Sequence, residues 1–205
     1  MSIIVEHEKR RREILEKALD VFLEEGFEDV TFQKLADRCG ITRTTLYIYF
    51  KNKKEIFNLS TKQLLKTVEN DITRIGKEKN LSHREKLTKV MITIIEHIEK
   101  NLRLLWVVLN YVLYISKSAS NPDYHLRRRT VRVRHILANM IIEGKKSGEF
   151  ARSINVKNAD ALLYSFLEAA AFRLVVLRRT SVDELKEVIR LAVQGFTAEE
   201  TNGAR

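Results

Sequence analysis

Chain-breaking residues are scarce in this sequence. One proline and seven glycines punctuate 205 residues, which favours long helices joined by short connections. No run of strict apolar–polar alternation stands out, so nothing argues for a sheet. Apolar residues instead recur at helical spacing, as in Ile14, Leu15, Ala18, Leu19 and Phe22. The expectation is an all-α chain, long enough for a small domain plus a larger one or for one elongated helical domain.

The punctuation divides the chain. A first helix runs from about Glu8 to Glu25 and stops at Gly26, and two short helices follow within residues 31–54. A fourth helix extends from Lys53 to about Ile75, ahead of a polar loop at Gly76–Leu81. Ser82-His-Arg-Glu85 reads as a capping box that opens a fifth helix, ending near Asn101. The very apolar Leu102–Ser116 comes next, then a loop at Ser118–Pro122 and a basic helix, Asp123–Lys146, stopping around Gly144–Gly148. Val156 to about Arg178 is apolar nearly all round. A second capping box, Ser181-Val-Asp-Glu184, opens a last helix with Val182, Leu185, Val188, Ile189, Ala192 and Phe196 on one side. The tail from Thr197 reads as disordered. Domain boundaries are expected at 1–52, 53–200 and a tail at 201–205.

Residues 31–54, TFQKLADRCGITRTTLYIYFKNKK, carry the most information about function. Thr31 is placed to cap a helix whose Phe32, Leu35, Ala36 and Cys39 share one face. Gly40 supplies a tight turn, and Thr42 is placed to cap the next helix. That helix has only Leu46 and Phe50 as clear inward anchors and otherwise offers Arg43, Thr44, Thr45, Tyr47 and Tyr49. A helix so short, with so little apolar surface, describes the second half of a DNA-binding helix-turn-helix, completed to three helices by the one before it. Arg43 suits bidentate bonding to guanine, and the methyls of Thr44 and Thr45 suit contact with thymine. Thr31 and its helix N-terminus suit phosphate. The charge pattern is local: residues 31–54 carry six basic residues against the single acid Asp37, while residues 1–55 balance eleven against eleven. The overall net charge of +10 therefore lies elsewhere in the chain.

Residues 14–22 (ILEKALDVF), Glu25-Gly-Phe27, Thr31, Leu35-Ala36, Gly40 to Phe50 (GITRTTLYIYF) and Lys53 resemble the tetracycline-repressor (TetR) family of bacterial transcriptional regulators. The likeness is close over residues 10–57. It departs at Lys51, where family members often have proline or another small residue, and this adds a possible phosphate contact. The resemblance implies about nine helices and a homodimer whose last two helices pair with their counterparts in a four-helix bundle. Tyr47, Tyr49 and Lys53 stand at positions that contact phosphates in similar proteins. It also implies a small-molecule effector held among the fifth to eighth helices, where Trp106, Tyr111, Tyr114, Tyr164, Glu168 and Phe172 are candidate lining residues. Glu168 suits a cationic effector group or an internal pair with Arg103 or Arg173. Arg127, Arg128, Arg129, Arg132 and Arg134 crowd one helix, either as a solvated basic face or as a lure for an anionic effector such as an acyl-coenzyme A or a fatty acid.

Other classes lose ground on the same residues. A single cysteine, Cys39, excludes an internal disulfide and any cysteine-based zinc site, and it reads as a small core residue. His7, His83, His97, His125 and His135 are scattered, with no metal-ligand spacing, no phosphate-binding glycine loop and no nucleophile elbow. No cofactor, metal or catalytic function is expected. The apolar run Leu104–Ile115 is too short to span a bilayer, and no signal peptide is visible, so a soluble, cytoplasmic protein is expected. The remaining alternative is a helical protein acting through a protein partner with a vestigial helix-turn-helix. As the sequence reads, the chain is a dimeric, ligand-responsive repressor of transcription that binds double-stranded DNA at a palindromic site.

Overall fold

The structure, a computed structural model, describes residues 2–117, 122–178 and 181–197, without the side chains of 2–4, 63–64 and 122–129. Among the described residues the chain forms nine helices: α1 (Ser2–Asp29), α2 (Phe32–Cys39), α3 (Arg43–Tyr49), α4 (Lys53–Gly76), α5 (His83–Lys100), α6 (Leu102–Lys117), α7 (Pro122–Lys146), α8 (Val156–Phe172) and α9 (Val182–Gln194). The all-α expectation holds. The only pairing of extended backbone among these residues is a bridge between Phe150 and Thr197. None of the described helices is long and apolar enough to cross a membrane.

The chain divides into two compact units, Met1–Thr67 with Arg103–Leu126, and Val68–Leu102 with Arg127–Arg205. The boundary expected at residue 52 falls inside the first of these. In that unit Ile14, Ala18 and Phe22 of α1 pack with Leu35, Ala36 and Cys39 of α2, Leu46 of α3, Phe50, and Ile56 and Phe57 of α4. Val107, Tyr111 and Ile115 of α6 join the same core. Burying a phenylalanine or leucine of this kind contributes about 1.5–3 kcal/mol. As expected, the first helix breaks at Gly26, where the backbone takes φ 82°, and a short helical turn follows to Asp29. The break, which glycine adopts without strain, delivers Phe27 into an aromatic cluster. Its ring lies 4.6 Å from Tyr111 and 5.2 Å from Phe57, and Phe57 lies 5.0 Å from Phe22.

In the second unit, Leu87, Met91, Ile94 and Ile95 of α5 share a core with Leu137 and Ile141 of α7, Leu163, Leu167 and Ala170 of α8, and Leu185, Ile189 and Val193 of α9. The Ser82 capping box forms: Glu85 donates its backbone N–H to Ser82 Oγ at 3.2 Å, and Ser82 donates its own to Glu85 Oε2 at 2.8 Å. Glu149 adds a second cap, its carboxylate accepting the backbone N–H groups of His83 and Arg84 at 3.0 and 3.1 Å. At Ser181 the expected box is not formed. The Ser181 hydroxyl accepts from Asp183, one residue short of the box position at Glu184. Helix α7 ends at Lys146, as expected, and runs through Gly144. A Cβ there would come within 2.2 Å of the Phe150 ring, so glycine serves close approach. Helix α8 passes into a π turn, Arg173–Leu177, closed by Arg178 at φ 51°. Thr197, expected in a disordered tail, is the partner of Phe150. The proposed tail at 201–205 and most of the loop at 118–122 lie outside the described residues.

Candidate nucleic-acid interface

The α2–turn–α3 segment forms as its residues dictate. Thr31 Oγ1 accepts from Lys34 N–H at 3.2 Å and Thr42 Oγ1 from Thr45 N–H at 3.1 Å, satisfying donors that each helix start leaves open. Gly40 closes α2 at φ 67°, its N–H returning to Ala36 and Asp37 carbonyls. Leu46 and Phe50 are buried as inward anchors, and Cys39 is buried among them. Burial also raises the Cys39 thiol above its ordinary pKa, against the pull of Lys17, Arg10 and Arg38.

What α3 leaves outside is polar with one exception. Arg43 and Thr44 are exposed, and Thr45 is half-buried with its hydroxyl 2.8 Å from that of Thr42. Arg43 lies over the Tyr47 ring, 5.8 Å from its centroid, a stacking one turn apart that presets the guanidinium. Tyr47 packs against Phe32 with ring centroids 4.4 Å apart and stays half exposed. Tyr49 stacks on His7 of α1 at 4.7 Å. The exception is Ile48, 69% exposed. At about 100° per residue it points away from Leu46 and Phe50 and sits one turn beyond Thr44. Sequence reasoning passed over it because it looked for hydrogen-bonding groups. The missed signal was an apolar residue on the side of α3 opposite its anchors.

The basic patch is partly spent. Arg38 forms a bidentate pair with Glu24 of α1, and Lys34 pairs with Glu25. Lys53 donates to the carbonyls of Phe27, Glu28 and Val30 at 2.9, 2.9 and 2.8 Å. Among the described residues, Arg43, Lys51 and Lys54 are the basic side chains of residues 31–54 without an ion pair or carbonyl partner.

The six candidate effector residues are divided by the fold. Trp106, Tyr111 and Tyr114 lie in the first unit, and Tyr164, Glu168 and Phe172 in the second. Tyr111 is buried in the aromatic cluster, whereas Trp106, Tyr114 and Phe172 are about half exposed. Tyr164 donates to Thr130 Oγ1 at 2.9 Å beneath the Arg134 guanidinium, and burial holds its hydroxyl above the usual pKa. Glu168 is exposed and, among the described residues, pairs with neither Arg103 nor Arg173. An exposed carboxylate is solvated by water and needs no such partner. On α7, Arg132 pairs with Glu69 at 3.2 Å, and Arg134 pairs with buried Asp160 at 2.6 Å. Both are thereby neutralised, and the side chains of Arg127, Arg128 and Arg129 lie outside the described residues. A groove of about 650 Å³ between α5 and α9 carries Arg84, Lys89 and Arg190, and Lys89 and Arg190 are paired with Glu78 and Glu187.

Residues 14–59 match the sequence profile of bacterial regulatory proteins of the tetR family. The fatty acid metabolism regulator protein of Bacillus subtilis is 27% identical over 164 residues, covering 76% of this chain and 78% of its own. The crystal structure of the B. subtilis regulator FadR in complex with stearoyl-CoA superposes with a TM-score of 0.74 at 21% identity, over 90% of this chain and 98% of that one. A TetR transcription regulator from Haloarcula marismortui gives 0.76 at 19% identity, over 93% and 97%. At these identities the structural likeness establishes a shared fold. The profile match falls on the helix-turn-helix itself, so residues 14–59 are identified as the DNA-binding module of a tetR-family regulatory protein.

Proposed function

We propose that this regulator is a homodimeric repressor that reads a palindromic operator through α3 and leaves it when an acyl-coenzyme A binds. The observation that carries the DNA reading is the outer surface of α3, seven residues long with Arg43, Thr44 and Ile48 turned to solvent and Leu46 buried. Arg43, Thr44 and Thr45 are assigned to bases, and Thr31, Thr42, Tyr47, Tyr49 and Lys51 to the adjoining phosphates. DNA recognition is assigned to residues 1–52, and effector binding and dimerisation to 53–200. The site of action is the cytoplasm, where a bacterial chromosome lies.

Two half-sites read one turn of DNA apart, about 34–36 Å, require two copies of α3. The last two helices offer the surface for this: Leu162, Phe172 and Leu177 at α8 and its π turn, and Val188 and Leu191 on α9, are all exposed. Apolar residues so placed on consecutive helices suit an isologous interface. The effector class is supported by the fatty-acid regulator among the relatives, by the stearoyl-CoA held in a neighbour of the same fold, and by the run Arg127–Arg129. Helix α4 belongs to both units and is one of three covalent routes between them, the others crossing at 102–103 and 126–127. An effector acts through it only by binding the DNA-incompetent state more tightly.

Footprinting of the DNA upstream of the protein's own gene, at physiological salt with competitor DNA, tests the reading. A protected two-fold symmetric site that stearoyl-CoA releases, and free coenzyme A does not, is the expected result. Absence of retardation on any duplex even at low salt would favour action through a protein partner. An effector affinity insensitive to salt would remove the arginines from its recognition.

A further inference from the structure

Two successive turns near the start of α1 meet the end of α3. His7 stacks on the Tyr49 ring, with centroids 4.7 Å apart and planes 26° from parallel. Arg11, four residues on and so on the same face of α1, lies over the Phe50 ring at 5.2 Å. Its guanidinium also stands 3.9 Å from the Glu55 carboxylate, whose other oxygen accepts the backbone N–H of Lys51 at 2.7 Å. The three residues by which the chain leaves α3 are thus held in different ways. Phe50 is anchored by burial and Lys51 through its backbone. Tyr49 is only half-buried, and the Phe50 ring stands 6.4 Å from its own, farther than that of His7. His7 is itself exposed, so its imidazole adds nothing to the core.

We propose that His7 is a positioning residue of the DNA interface: it holds the Tyr49 ring so that the phenol meets an operator phosphate. The start of α1 is thereby part of recognition, through Tyr49. A tyrosine at a helix end turns about its side-chain torsions, and ordering it only when DNA arrives subtracts from affinity. The offset stack that aromatic rings favour orders it beforehand. Arg11 supports the arrangement by fixing the next turn of α1 against Phe50 and Glu55. The role rests on the assignment of Tyr49 to a phosphate.

The test is a double-mutant cycle on the full-length protein, with a duplex selected by the wild type from a random pool. The variants are His7→Ala, Tyr49→Phe and the two together, with His7→Phe as the conservative change. Affinity is measured at fixed salt, well below the melting temperature, with folding checked by circular dichroism. The expected result is a roughly fourfold loss in His7→Ala, the scale of one side chain ordered on binding, recovered in His7→Phe, which keeps the stack. In Tyr49→Phe, which lacks the phenol, His7→Ala should cost almost nothing further. An equal loss in both backgrounds would show that His7 acts without Tyr49 and overturn the proposal. So would a failure of His7→Phe to recover, the mark of a contact made by the imidazole itself. Unchanged affinity in His7→Ala would reduce the stack to a surface contact and overturn it too. If Tyr49→Phe alone binds like the wild type, the phosphate assignment fails and this role with it. If the wild type selects no duplex, the DNA-binding reading itself fails. These failures are distinguishable from one another.

Discussion

Ile48 presents the operator with methyl and methylene groups and nothing that bonds to a base edge. The major-groove feature that rewards such a surface is the thymine C5-methyl. We expect replacement of one thymine by uracil in a single half-site to weaken wild-type binding about fourfold, the equivalent of roughly 0.8 kcal/mol for one buried methyl. In Ile48→Ala the same replacement should cost almost nothing. Equal sensitivity in both proteins would remove Ile48 from the readout. Thr31 and Thr42 were legible in the sequence because a cap acts on donors two or three residues away. Lys53 was not, because its carbonyl partners lie 23 to 26 residues earlier and converge only in the fold.

Along the helices, the features that surprise are those that depend on a distant side chain. Gly144→Ala should gain up to about 1 kcal/mol of helix propensity, yet the added Cβ would meet the Phe150 ring at 2.2 Å. Overpacking of that kind costs about 1–3 kcal/mol, so a calorimetric scan should show a lower melting temperature. A rise would mean that Phe150 moves freely. Glu149 makes a pH-dependent case. Burial opposes its ionisation, but the backbone N–H of His83, the His83 ring and the backbone N–H of Arg84 outweigh this and hold its carboxyl below the ordinary 4.5. Its stabilisation is therefore present above that value and lost as pH falls through the lower folded pKa. The melting temperature of Glu149→Gln should fall below that of the wild type by a few degrees near neutrality, with the gap closing below about pH 4.5. The Ser82 box was readable in four consecutive residues. Glu149, 66 residues from His83, was not.

For the molecule as a whole, exposed Leu162 and Leu191 are the residues on which dimerisation is expected to turn. Leu191→Glu, alone or with Leu162→Glu, should convert a dimer to a monomer in light scattering without loss of helix content, since neither side chain belongs to the core. DNA affinity should fall with it, because one α3 reads only half a site. Persistence of the dimer would move the interface elsewhere. Helix content and the helix-turn-helix were open to sequence reasoning through their period and their caps. The division into units was hidden, because the stripe Val107, Tyr111 and Ile115 announces burial without naming what covers it, and α6 joins the core of the first unit. Cys39, the one cysteine of the chain, is walled into that same core. A thiol reagent can reach it only when the packing of α1 against α2 opens. The rate at which the native protein is alkylated is thus a clock for the breathing of its DNA-reading half, and a bound operator should slow it.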